Sequence, residues 1–449
     1  MASVFAIIIF AAMFVLIILD KWPREITTSA AAALTIIIVF GICMHSGQAI
    51  LETLNLHAFA QKDFWYVSEL TAENAVGINW STIVFIAGMM VMVEGMAETG
   101  FFQWLCLKMA KFAGYRAMPL LAVFMVMSFV LAMFIDSITV ILFLATITIE
   151  LARILKFEAG SMIMAEIFCA NLGGSATMSG DPPNIIIGTS LGFGFMDFLK
   201  NCGPIAVVSL AAVLVYYLLI TRRGYGKHRA SPEEIADLPE AREVITDRLR
   251  FCLSTAIFLA VVVLLVTHAQ TGLTVATIGC IAAGLTMLLS GRHFFELAKK
   301  VDYRTLLFFI GLFVVIGGME ETGVLEAIAH GILRLSGGSR TAIIIIILWV
   351  SAVFSAFIDN IPFAATMVPV LKVLAAASGA PLPVLAWSLA IGADIGGSAT
   401  PIGASANVVG VNIAGRSGIT LGWKRYCWES VPATVLVLLI ASLFLLFHY

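Results

Sequence analysis

The sequence predicts an all-α polytopic membrane protein: two inverted repeats of five spans, each with a re-entrant hairpin and a broken helix, about ten spans plus two hairpins. Three observations lead there. Of the 449 residues, 61% are hydrophobic and 12% charged, and mean hydropathy is +1.02; soluble domains carry nearer about 25% charged residues. Apolar runs long enough to cross a bilayer recur from end to end. The chain also contains itself twice. Gly173 to Asn184 reads GGSATMSGDPPN, and Gly396 to Asn407, 223 positions on, reads GGSATPIGASAN. The same offset carries Phe134-Ile135-Asp136-Ser137 onto Phe357-Ile358-Asp359-Asn360, and Gly88, Gly95, Glu98, Thr99 and Gly100 onto Gly311, Gly318, Glu321, Thr322 and Gly323. Interrupted apolar segments at matching places in two halves are the mark of a secondary transporter.

In order, residues 4–19 form the first span and 28–44 the second, joined by the charged turn Asp20 to Glu25. The start lacks both a basic n-region and a small-residue cleavage signal, so it reads as a span and not as a removed leader. A polar insertion, residues 45–79, has no counterpart of that length in the second half. Residues 80–97 are span 3, and 101–112 an amphipathic interfacial helix with Lys108 and Lys111 against aromatics. The apolar stretch 118–155 is interrupted by Asp136 and Ser137. It is either two crossings or a re-entrant hairpin; the hairpin is favoured because an acid at a tip can face a cavity. Residues 161–199 are a broken span and 204–219 span 5, closing the first repeat at 1–220. A charged linker with a short helix occupies 221–250. The second repeat, 251–449, has spans at 251–267, 273–289 and 305–319, and an amphipathic helix at 324–335. A hairpin at 341–371, a broken span at 383–411 and a last span at 432–447 complete it.

Five crossings per half is odd, so the halves oppose each other. Lys and Arg test the orientation. With the linker cytoplasmic, the inner side collects most of them, among them Lys21, Arg24, Arg153, Lys300 and Arg425. The outer side keeps Lys62, Lys200, Arg334, Arg340 and Lys372. Both termini are therefore expected outside the cytoplasm, in a multi-pass plasma (inner) membrane protein. The net charge of -2 gives no reason to expect a nucleic-acid partner, and the seven scattered cysteines form no CxxC pair.

Backbone freed from helical bonding inside a bilayer is tolerated only where protein or a cavity lines it, and carriers use it to bind ions. The plain alternative is a kink used for packing. A buried carboxylate must be paired, metal-bound or protonated, so Asp136 and Asp359, related by the repeat, are candidate proton carriers that lie near each other; helix capping is their bland role. Around them stand Ser137, Thr139, Asn360 and the break residues Gly174, Ser175, Thr177, Gly397, Ser398 and Thr400. Asn184 and Asn407 either ligate directly or tie each break to its hairpin. Asp181 and Asp394 break the symmetry, with Ala404 and Asn171 opposite them. A sodium site is expected at Asp136, Ser137, Thr177, Asp359, Asn360 and Thr400, competing with protons; H+ and Na+ are the coupling ions considered, and no other cofactor is. Cys169 lies near the first break. Glu94 and Glu166 are candidates for buried pairing, and helix termination accounts for Glu98 and Glu321. The histidines, including His268, fall mostly in loops and suggest no ligand.

These motifs, with Phe357-Ile358-Asp359-Asn360-Ile361-Pro362, GGSATPIGASANVVG and the stretch Phe308–Gly318, resemble the ion transporter superfamily. Within it they look most like the branch of arsenite permeases, NhaD-type sodium/proton antiporters and the melanosomal P protein, distant from the divalent anion:sodium symporters. The resemblance implies a homodimer working by elevator-type alternating access, possible service to a separate cytoplasmic ATPase, and, on family grounds, proton-coupled arsenite or metalloid efflux. Sodium/proton antiport is the close alternative, and anion (chloride or dicarboxylate) transport or a channel the third. The symporters' Ser-Asn-Thr tip triplet is replaced here by Asp136-Ser137-Ile138 and Asp359-Asn360-Ile361. With acids at both tips and no basic residue in the motifs, a polyanionic substrate is disfavoured. No nucleophile–base–acid set or nucleotide-binding loop points to an enzyme.

Overall fold

The computed structural model describes residues 1–19, 21–67, 77–222, 225, 240–291 and 294–448. Among these the chain is helical throughout, with one isolated bridge between Tyr66 and Leu273. The first half has α1 (Ala2–Leu19), α2 (Arg24–Cys43, π-helical from Thr35), α3 (Gly47–Leu54), α4 (Trp80–Glu98) and α5 (Phe101–Phe112). It continues with α6 (Ala117–Ala132), α7 (Ser137–Leu155), α8 (Ala159–Gly174), α9 (Pro182–Leu191) and α10 (Phe195–Thr221). The second half has α11 (Arg248–Thr271), α12 (Val275–Ser290), α13 (Phe294–Lys300), α14 (Tyr303–Glu321) and α15 (Val324–Leu335). Then come α16 (Arg340–Ser355), α17 (Asn360–Ser378), α18 (Leu382–Gly397), α19 (Ser405–Arg416) and α20 (Trp423–His448). Nine described helices are long and apolar enough to cross a membrane, ten if the α15–α16 pair, bent by 119°, counts as one span.

From α4 to α8 every boundary recurs 223 residues later in α14 to α18. The local causes recur too. Asn79 and Asp302 cap α4 and α14 with their side-chain oxygens. Gly100 (φ 82°) and Gly323 (φ 72°) then turn the chain through the left-handed region into the amphipathic helices. Asp136 and Asp359 start α7 and α17.

Packing separates two bundles. In one, α4 lies on α12 and α14 on α2, each helix pressed on one from the other half. A Cβ on Gly88 would sit on the Gly279 backbone, and one on Gly311 on the Thr28 backbone. Further along, Gly95 meets Thr286 as Gly318 meets Thr35. Thr28 and Gly279 are 251 positions apart, as are Thr35 and Thr286. The longer offset reflects the insertion after α2, which supplies α3, a 3-10 turn at Leu56–Ala60 and a helical turn at Lys62–Trp65. In the other bundle α6 packs on α8 and α16 on α18, while α7 meets α19 and α17 meets α9. Small residues again set the distance: a Cβ on Gly173 would strike the Phe129 backbone, and one on Gly396 that of Ala352.

Several expected boundaries move. The first broken segment ends sooner than 161–199 implies, since α9 stops at Gly192 (φ 75°) and α10 begins at Phe195, taking in Leu199; the second ends later than 383–411 implies, since α19 runs on to Arg416. The spans expected to start at Pro204 and Pro432 instead contain those prolines, well inside α10 and α20, where each removes one i to i−4 hydrogen bond. His268 lies in α11, its Nδ1 2.8 Å from the Leu265 carbonyl, and not in a loop. Of the linker expected at 221–250 with its short helix, residues 223, 224 and 226–239 lie outside the described ones. The described end of the linker docks on α4, the Thr246 hydroxyl donating to the Glu98 carbonyl at 2.9 Å.

The glycine crossings give a direct test. Gly88→Val or Gly311→Val should destabilise the folded protein by about 1–3 kcal/mol through overpacking, seen as a lower melting temperature in detergent. Gly331→Ala, in α15 with open space at its Cβ, should leave it unchanged or raise it.

Candidate solute and ion site

The two breaks, α8–α9 and α18–α19, meet the two tips, α6–α7 and α16–α17. Asp136 caps α7 fully: its Oδ1 accepts from the Thr139 N–H at 2.9 Å and its Oδ2 from the Thr139 hydroxyl at 2.7 Å. Asp359 accepts from the Ile361 N–H at 3.2 Å. The Thr177 hydroxyl donates to the Met133 carbonyl in the first tip, and the Thr400 hydroxyl to the Ala356 carbonyl in the second. Carbonyls freed by the breaks are taken up by asparagine amides. Asn184 Nδ2 donates to Gly174 (2.9 Å) and Thr177 (3.3 Å), and Asn407 Nδ2 to Gly397 and Thr400 (both 2.7 Å). The asparagine amides thus bridge the two sides of their own breaks, while the bonds from break to hairpin come from Thr177 and Thr400. Ser175 donates to the Leu172 carbonyl at 2.8 Å. Gly174 and Gly397 lie against Gly180 and Gly403, where the chain doubles back.

The halves join through equivalent bonds. Asn171 Nδ2 donates to Asn407 Oδ1 at 2.9 Å and Ser398 Oγ at 3.0 Å. The repeat-related pair is Asn184 Nδ2 to Asp394 Oδ2, 2.8 Å. Asp181 begins α9 without capping it. Its Oδ1 instead accepts from Ser137 Oγ at 3.3 Å and its Oδ2 from Asn360 Nδ2 at 2.7 Å. Asn360 Nδ2 also reaches Asp394 Oδ1 at 3.3 Å, and the two carboxyls are in hydrogen-bonding contact. Every one of these side chains is buried. The acids that look unrelated in the sequence converge on one point.

Asp136 and Asp359 also line a common cavity of about 260 Å³, with Ser179, Ser405, Arg24 and Arg304 in its wall. The motifs hold no basic residue, and the two arginines of the cavity wall come from outside them. Arg24 Nη1 lies 2.6 Å from Asp359 Oδ2, which also accepts from Ser405 Oγ at 3.0 Å. Arg304 pairs with Glu25 at 3.6 Å. Arg24 is distant from the motifs in sequence, in a turn that reads as an interfacial charge. The available signal was its place in the first turn of α2, where a cation opposes the helix dipole and calls for an acid. Packing places Val275 of α12 where Arg24 stands in α2, and no cation pairs with Asp136 among the described residues.

Other acids resolve as follows. Glu94 and Glu98 both hold Lys300, at 2.9 and 2.8 Å, so Glu98 does more than end its helix. The Glu98 and Glu94 carboxylates keep the Lys300 ammonium charged, its pKa above the ordinary lysine value. Glu166 is buried in α8 and accepts from the Thr148 hydroxyl at 2.5 Å. Cys169 is buried in the same helix, away from the cavity lining, and the cysteines are free. No group of three or more His, Cys, Asp or Glu among the described residues is placed to hold a metal.

A family model described as CitMHS, citrate transporter, matches residues 14–392, and the chain belongs to that family. The chain is 32% identical over its whole length to a 46 kDa membrane protein of Mycobacterium leprae, of which 99% is covered. Over 82% of its length it is 28% identical to the human P protein, and the match spans 53% of that longer protein. Among solved structures it is similar to MtrF of Neisseria gonorrhoeae, described as illuminating a class of antimetabolite efflux pumps, with a TM-score of 0.55 at 13% identity over 94% of this chain and 92% of that one. At that identity the likeness is one of fold. The protein is a multi-pass membrane transporter.

Asn407→Ala would strip the Gly397 and Thr400 carbonyls and the Asn171 amide of a partner at once. An expected loss of about 1–3 kcal/mol per orphaned buried group should appear as a large drop in detergent melting temperature. Ser175→Ala, which removes one local hydroxyl bond, should have a small effect in the same assay.

Proposed function

We propose that this member of the citrate transporter family is a secondary transporter that carries a small organic carboxylate through the cavity by proton-coupled alternating access, with Arg24 as the anion's anchor. The observation that carries this reading is the Arg24–Asp359 pair in the cavity wall. A guanidinium fork suits a carboxylate. The Arg24 side chain is 29% exposed against 2% for Asp359, so an entering anion meets the arginine first and competes with Asp359 for it. The family's description as citrate transporters supports the same class. Arsenous acid is neutral and makes no use of Arg24 or Arg304, and sodium would meet both as like charges; these two readings therefore rank below it.

The reciprocal contacts across the halves support two opposed repeats, 1–220 and 251–449. On that reading the α2–α4–α12–α14 bundle is the fixed frame, and the bundle of tips and breaks is the moving body of an elevator. Arg24 belongs to the frame and Asp359 to the moving body, so the pair latches one end of the cycle. The substrate carboxylate releases the latch by taking the place of Asp359. The cavity lies beside the starts of α2 and α14, on the side where basic residues concentrate, so the latched state is inward-facing, with the termini outside.

Flux into proteoliposomes under an imposed pH gradient, across citrate, succinate, arsenite, sodium and chloride, tests this. Citrate or succinate should accumulate, and Arg24→Gln should lower uptake roughly tenfold or more, with Arg24→Lys retaining part of it. Arsenite or sodium movement without carboxylate movement, or full carboxylate uptake by Arg24→Gln, would sink the reading.

A further inference from the structure

We infer that the coupling proton is held by Asp181 and Asp394 together, as one proton shared between two carboxyls where the breaks cross, and not by the hairpin-tip acids. This rests on the proton-coupled reading above and names the group that carries the proton.

The tip acids are otherwise occupied. Asp359 is paired with Arg24 at 2.6 Å, and Asp136 receives two hydrogen bonds from Thr139. Asp181 and Asp394 have no cationic partner among the described residues. They touch each other, and two like charges in contact in a dry interior cannot both persist. The hydrogen count agrees. The donors facing the pair are the Ser137 hydroxyl and the amides of Asn360 and Asn184, and Asn184 also serves two backbone carbonyls. Acceptors exceed donors: the Asn184 Oδ1, on the same amide that contacts Asp394, and the nearby Asn171 Oδ1 are buried without a donor. The cluster is short of a hydrogen, and a proton on the carboxyl pair supplies one. The other titratable groups facing it are Asp136 and Asp359 from the two tips and Cys202 from α10.

The tip links proton to solute. Asn360 follows Asp359 directly, and its single Nδ2 bridges both carboxyls at 2.7 and 3.3 Å. When an anion takes Arg24 from Asp359, the tip that carries Asn360 loses its latch and the bridge shifts. The pair then binds or releases one proton, changing by one unit of charge as the cavity gains or loses an anion. The repeats show where this site arose: the positions equivalent to Asp181 and Asp394 hold Ala404 and Asn171, so the acids exist once and in one place.

The test uses residues that the fold already carries at equivalent positions: Asp394→Asn and Asp181→Ala. Infrared difference spectra of the purified full-length protein across pH need no substrate, so they are independent of the carboxylate reading. Glu166, another buried carboxyl, is first silenced as Glu166→Gln. In that background a titrating protonated-carboxyl band should be present, persist with Asp136→Asn, and vanish with either Asp394→Asn or Asp181→Ala. In proteoliposomes accumulation driven by a pH gradient should fall to background in both variants. Size-exclusion elution establishes that each variant is folded. A band that survives both substitutions, or one displaced by sodium at constant pH, would overturn the assignment, as would undiminished pH-driven accumulation in both variants.

Discussion

A chain that interrupts its helices inside an apolar bundle leaves carbonyls and amides with no water to bond them, and the rest of this structure answers that constraint. Asn184 and Asn407 meet the need directly, each bridging the two sides of its own break. Thr177 and Thr400 join the breaks to the hairpin tips, each through one hydroxyl bond to a tip carbonyl. Burying so many polar groups is tolerable only because nearly all are bonded. Two that are not, the Asn171 and Asn184 oxygens, stand next to the acidic pair.

Duplication explains the economy of the arrangement. The bond from Asn171 to Asn407 and the bond from Asn184 to Asp394 are one contact made twice, as are the crossings of Gly88 with Gly279 and Gly311 with Thr28. A repeat that contacts its own copy needs each solution only once. Function then enters where the copies differ. Arg24 against Val275, Asp181 against Ala404 and Asp394 against Asn171 all fall at the cavity or the central cluster. In the proposed function these differences give a symmetric scaffold distinct places for an anion and a proton.

Much of the site was legible in the sequence because its residues sit in two short motifs. The offset of 223 transfers helix ends from α4–α8 to α14–α18 residue for residue, and the asparagine and threonine positions follow with it. The ends of the broken helices were less legible. A proline reads as a boundary, yet Pro204 and Pro432 lie inside α10 and α20, whose starts are set by turns some residues earlier. The charge argument missed Arg24 for a different reason: it weighed the motifs alone, and Arg24 lies more than three hundred positions from the acid it binds.

Hydropathy and self-similarity by themselves determined the all-helical membrane class, the two repeats, the breaks and the acids, because lipid permits few ways to satisfy a backbone and repetition exposes the one used. Only the tertiary structure decided which acid pairs with which group. Asp136 and Asp359 look equivalent on the page, and Asp181 and Asp394 look unrelated. Their partners come from helices remote in the chain, and a charge in a low dielectric is governed by what lies within a few ångströms of it.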